Sequence, residues 1–221
     1  MKNTNNNSEY TEKEIKKTIS KDFKWMKKEF KFIHYDPETL LSVKNNIIQG
    51  IYFQRSYSKR AVCITFFIQP LFIPENFLIL NYGFRMDKLI KGQQEWVVLD
   101  KKGINKITKY VKKIGKDFFN SHDSPAKIIE SAKNKKYKYI WEQDSWSIYL
   151  CLAYCYAYEG KNSLFYDMSN KIKAFFEGKD FDWAEKRISQ LDNLEKSVQD
   201  GKQKELFDKA IIDLKQKLKL K

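Results

Sequence analysis

The sequence predicts an α+β protein, with an N-terminal helix packed on an antiparallel β-meander and an all-helical C-terminal half. Three observations carry this. Apolar residues recur at helical spacing before residue 36, short aromatic and β-branched runs alternate with turn residues over 40–99, and capped helical patterns fill the chain from 104 onward. One domain is expected over 1–120, comprising helix, sheet of about five strands and basic helix, and a helical-hairpin or bundle domain over 121–221.

Thr11 and Glu14 stand at the spacing of a capping box, and Ile15, Ile19, Phe23, Met26 and Phe30 follow on one face. The spacing predicts one helix, closed by Asp36-Pro37. Strands are expected at 40–43, 47–57, 60–72, 77–86 and 95–99, separated by Asn45-Asn46, Ser58-Lys59, Pro74-Glu75-Asn76 and Lys91-Gly92. The most apolar long stretch, residues 50–80, is broken by Arg55, Lys59, Arg60, Gln69, Pro70, Pro74 and Glu75. No window of about 20 residues in it could span lipid. Its third strand is apolar on both faces, as in a central strand covered on both sides.

Helices are expected at 104–119, 126–133, 145–158, 162–176, 182–200 and 204–220. Ser124-Pro125 caps the second, Asn162 or Ser163 the fourth, and Asp182 to Glu185 forms a box-like start for the fifth. Gly160, Gly178 and Gly201 follow helix ends.

The net charge of +14 rests on 38 lysines and only four arginines. Lysine preference fits an AT-rich coding bias, and arginine, which grips phosphate and guanine bidentately, is scarce. The excess is nevertheless local. Residues 101–141 carry 12 basic and three acidic side chains, whereas 142–221 balance at 14 and 14. Within 104–119, Lys106, Lys109, Lys113 and Lys116 form a stripe opposite Ile107, Val111, Ile114 and Phe118. Lys133, Lys135 and Lys136 follow, beside Tyr137 and Tyr139. Like charges at three- and four-residue spacing oppose folding by a few tenths of a kcal/mol per pair, roughly. An external counter-charge would relieve them, so these lysines are candidate partner contacts. Arg55 and Arg60 are added because two arginines at a strand end can hold a carboxylate or phosphate, although they also suit edge-strand protection.

No glycine-rich phosphate loop, HExxH or GxSxG occurs. His122-Asp123-Ser124 and His34-Tyr35-Asp36 are adjacent residues that do not converge as catalytic sets, and Ser124 has a capping role. The cluster Glu177, Asp180, Asp182 and Glu185 suits a helix start better than a metal. Trp141, Trp146 and the tyrosines after them suit a core. No catalytic residue, metal site or cofactor is therefore expected. Cys63, Cys151 and Cys155 read as reduced, buried thiols. The opening MKNTNNNSEYTEKE has no apolar run, so a cytoplasmic chain without a signal peptide is expected.

The capped helix, the strand GIYFQRS, a further strand and a proline-containing turn resemble an uncharacterised bacterial α+β domain family over residues 11–100. Some of its members are similar to immunity proteins of polymorphic toxin systems. The resemblance implies a bacterial or phage binding protein and supplies no catalytic residues. The expected function is a non-enzymatic immunity- or inhibitor-type protein that binds an acidic protein partner, with nucleic-acid binding as the alternative.

Overall fold

The computed structural model describes residues 9–57, 60–86, 96–141, 145–179 and 181–220, with only the backbone of 138 and 139. Ser58, Lys59, Lys91, Gly92, Glu95, Asp180 and the stretch 142–144 lie outside these residues, as do the side chains of Lys138 and Tyr139.

The architecture is α+β. Helices α1 (Glu12–Asp22) and α2 (Lys24–Phe30) precede a five-stranded antiparallel sheet in the order β1-β2-β3-β4-β5. Its strands are β1 (Ile33–Asp36), β2 (Thr39–Lys44), β3 (Ile47–Arg55), β4 (Val62–Pro70) and β5 (Tyr82–Arg85). Helices α3 (Lys101–Asn120), α4 (Pro125–Lys133), α5 (Lys138–Trp141), α6 (Trp146–Tyr158), α7 (Asn162–Phe176), α8 (Asp182–Gln199) and α9 (Gln203–Lys217) follow. Among the described residues no helix is long and apolar enough to cross a membrane.

Four expectations are corrected. The first helix is two helices, because the Phe23 backbone N–H bonds Ile19 O at 3.2 Å and ends α1. Asp36-Pro37 does not end a helix but turns β1 into β2. Asp36 Oδ1 accepts the Glu38 N–H at 2.8 Å, and its Oδ2 accepts the Thr39 hydroxyl at 2.9 Å. The strand expected at 77–86 shortens to β5. Gln69, fully buried, replaces the missing ladder: its amide donates to Phe77 O at 3.2 Å and its Oε1 accepts the Ile79 N–H at 2.8 Å. Of the strand expected at 95–99, Val97 makes a single antiparallel bridge with Val62.

The chain divides into two compact units. The first comprises Met1–Val43, Gln49–Phe67 and Gly83–Asn120; the second comprises Lys44–Ile48, Ile68–Tyr82 and Ser121–Lys221.

In the first unit Phe66 is the centre of the aromatic core. Its ring lies 5.3 Å from Phe84, 5.7 Å from Tyr110, 5.9 Å from Phe118 and 5.8 Å from Phe119. All nine residues of β4 are buried, as its two apolar faces predict. Gly83 admits β5 to this packing, since a Cβ there would sit 2.0 Å from Phe66 O. Burial of such rings contributes about 1.5–3 kcal/mol each.

In the second unit α6 is the most buried helix, with nine of its residues enclosed. Phe72 packs 4.4 Å from Tyr158 and 5.7 Å from Phe207, which ties the segment after β4 to α6 and α9. Arg187 grips Glu75 with two bonds of 2.7 and 2.9 Å and also donates to Gln190 Oε1 at 3.1 Å. Cys151 and Cys155 are buried free thiols, and burial pushes the Cys155 thiol up. Cys63, in the first unit, is likewise buried and free.

Candidate functional site: the lysine face of α3

Asp100 starts α3. Its carboxylate accepts the Gly103 N–H at 2.7 Å, and its backbone O accepts the Ile104 N–H at 2.9 Å. Gly103 sits inside the helix because a Cβ would meet Val98 O at 1.8 Å. The helix therefore begins three residues before the expected start. Ile107, Val111, Gly115, Phe118 and Phe119 then face the core.

This packing fixes what is left outside. Lys102, Lys106, Lys109, Lys113 and Lys116 are all exposed. Lys109, Lys113 and Lys116 pair with no carboxylate among the described residues. Lys112, which sequence reasoning left out, places its ammonium 5.1 Å from the centre of the Trp25 ring on α2. That contact and the Phe30–Phe119 ring pair at 5.2 Å set α2 beside α3 within the first unit. Lys24 and Lys28 of α2 are exposed as well. The packing of Trp25 under Lys112 carried no signal in a one-dimensional reading.

Arg55 and Arg60 are engaged inside the first unit. Arg55 bonds Glu38, the Tyr10 backbone O at 3.2 Å and Glu12 at 3.4 Å. Arg60 pairs with Glu14 and lies 4.4 Å over the Tyr10 ring. The two guanidinium groups hold the start of α1, which carries the capping box expected of Thr11 and Glu14. The Thr11 backbone and the Arg60 side chain draw the Glu14 carboxyl down to about 2. Burial and the Glu38 charge push the Tyr52 phenol up to about 12. These arginines are anchors of the fold.

The other candidate lysines belong to the second unit. Lys133, Lys135 and Lys136 are exposed around the end of α4. Lys136 donates to Ser121 Oγ at 2.9 Å. The α3 stripe belongs to the first unit and this cluster to the second.

The residues with catalytic-looking letters make contacts within the fold. Asp123 pairs with Lys44 at 2.6 Å and Lys127 at 2.9 Å, and Ser124 Oγ accepts the Lys127 N–H at 3.4 Å. Sequence reasoning missed a buried network behind them. Ser131 Oγ lies 2.9 Å from His122 Nε2 and accepts the Trp141 indole N–H at 3.0 Å, with His122 fully enclosed. His34 on β1 is shifted down by burial and then by Lys27 and Lys16. Among the described residues no His, Cys, Asp or Glu cluster could hold a metal ion.

Compared with models of known families, with curated proteins and with solved structures, the chain matches none.

Proposed function

We propose that this is a non-enzymatic, cytoplasmic binding protein of the immunity or inhibitor kind, which docks on an acidic surface of another protein through α3. The observation that carries this reading is the exposed run Lys106, Lys109, Lys113 and Lys116 on a helix whose opposite face is locked into an aromatic core. Such a face brings a fixed array of positive charge without moving any core residue. Charge of this kind speeds encounter and rejects wrong partners more than it holds a complex together. The internal engagement of Arg55 and Arg60 favours a protein over nucleic acid, because the residues best suited to phosphate are occupied.

The test is a pull-down from native lysate with the full chain, with and without nuclease, followed by co-expression with the captured protein. The expected partner survives nuclease, binds stoichiometrically, arrests growth when expressed alone and is neutralised by the wild-type chain. The double variant Lys109→Glu/Lys113→Glu should melt like wild type and fail to neutralise it. Co-purified nucleic acid, with protein bands that vanish on nuclease and binding that collapses as salt rises, would replace this reading with nucleic-acid binding.

A further inference from the structure

The exposed lysines of α3 lie on one line. Lys102, Lys106, Lys109, Lys113 and Lys116 follow at alternating spacings of four and three residues. At about 100° per residue they fall within about 80° of the helix surface, and at about 1.5 Å per residue they extend over about 21 Å. Exposed Lys101 and Lys112 flank the line on one side. Asp117, on the other flank, is the one carboxylate of the helix. Lys102, Lys109, Lys113 and Lys116 pair with no carboxylate among the described residues.

What the line lacks is equally informative. Ile107, Tyr110, Val111, Phe118 and Phe119 are buried and Ile104 and Ile114 half-buried, so no apolar anchor stands among the lysines. The half-exposed aromatic pair of the chain, Phe181 and Trp183, belongs to the second unit. Their rings stack 5.8 Å apart, and Trp183 is braced by Trp146 at 5.5 Å and by Phe176, edge-on at 5.3 Å. In a protein complex a line of charge steers encounter, and another element must supply the anchor. A charged bilayer makes no such demand. It presents anions throughout a plane and needs no matching pocket, and each lysine beside it strengthens adsorption about fivefold.

We propose that α3 also adsorbs on an anionic membrane surface, with its five lysines among the lipid phosphates and no side chain in the hydrocarbon. The line brings all five ammonium groups to one plane, so their contributions act together. Lysine suits this contact, because a compact, hydrated charge needs no bidentate geometry. The helix does not insert, since its apolar face is held in the aromatic core around Phe66. Adsorption is therefore reversible and set by lipid charge and salt. It uses the lysines of the protein docking proposed above but does not rest on that reading: vesicles contain no protein, so either can fail without the other.

The experiment sediments the nuclease-treated full-length chain with vesicles of phosphatidylcholine, alone or mixed with phosphatidylglycerol, at about 0.1 M and about 1 M salt. The chain should bind the mixed vesicles at the lower salt, leave them at the higher, and ignore the neutral ones. Lys109→Gln/Lys113→Gln should weaken binding about twentyfold, and Lys109→Glu/Lys113→Glu at least about a hundredfold, with the melting temperature of each close to that of wild type. Lys186→Glu/Lys209→Glu changes net charge equally at exposed positions of α8 and α9 and should weaken binding less than about fivefold. Absence of binding to either vesicle overturns the proposal, as does equal binding to both, which would mean apolar insertion. Equal losses in the two glutamate variants also overturn it, because net charge alone would then explain adsorption.

Discussion

The α3 face and the α7–α8 face are built in opposite ways. On α3 the large apolar side chains are buried or half-buried and most exposed positions are lysine, so the surface offers charge with no anchor. On α7–α8 Phe181 and Trp183 remain half-exposed, with lysines and carboxylates both flanking them in the chain, so the surface offers an apolar anchor without charge of one sign. The contrast teaches that the two faces should control different quantities. Charge alone sets association rate and its dependence on salt, whereas a braced aromatic pair sets how long a complex lasts.

The comparison can be broken first from behind. Phe66→Ala removes the ring that touches four others beneath α3 and should cost about 3–5 kcal/mol in denaturant titrations. A cost below about 1 kcal/mol would mean that this core does not hold the lysine face in place.

Next in size, Arg187→Ala strands Glu75, which is 5% exposed, and should cost about 3 kcal/mol in the unit that carries the aromatic face. Because Arg187 also lies 5.7 Å from the Trp146 ring, the loss should change tryptophan emission. Unchanged stability and emission would detach the Glu75 ion pair from the bracing of Trp183.

A smaller effect is expected in acid. The Glu14 carboxyl lies at about 2 against its ordinary 4.5, so its contribution to stability is complete above 4.5 and disappears as pH falls through about 2. The difference in melting temperature between wild type and Glu14→Gln should therefore be constant near neutrality and close to zero at about pH 2. A difference that persists there would show that Glu14 acts through packing and not through its charge.

The smallest effect sharpens the contrast most. Lys109→Ala/Lys113→Ala should change stability by only a few tenths of a kcal/mol, roughly, and toward greater stability, because like charges are removed. A clear destabilisation would make the stripe part of the fold instead of a free surface.

Much of this was legible in the sequence where a single element decides its own outcome. The capping box at Thr11, the two apolar faces of β4, the Asn45-Asn46 turn with both residues at positive φ, and the lysine stripe all follow from local spacing. What escaped depends on partners distant in sequence. The bonds of Gln69 to Phe77 and Ile79 replace a strand ladder, and no periodicity announces that. Arg55 and Arg60 read as surface cations until Glu12, Glu14 and Glu38 arrive beside them. The box-like start at Asp182 is not used as a side-chain cap, since Phe181 occupies the cap position and its backbone O accepts the Ala184 and Glu185 N–H groups. Nothing in one dimension marks Phe181 and Trp183 as exposed, because aromatic residues in helical patterns usually face inward.

The division of labour between the two kinds of cation has a practical consequence. All four arginines are spent on contacts within the molecule: Arg55 and Arg60 at the start of α1, Arg85 on Gln54, and Arg187 on Glu75. The exposed cations of α3 are all lysine. Amine-selective acylation therefore discharges the lysines of α3 and spares every guanidinium, while the same reagent also reaches the lysines that pair with Asp123, Asp192 and Glu195.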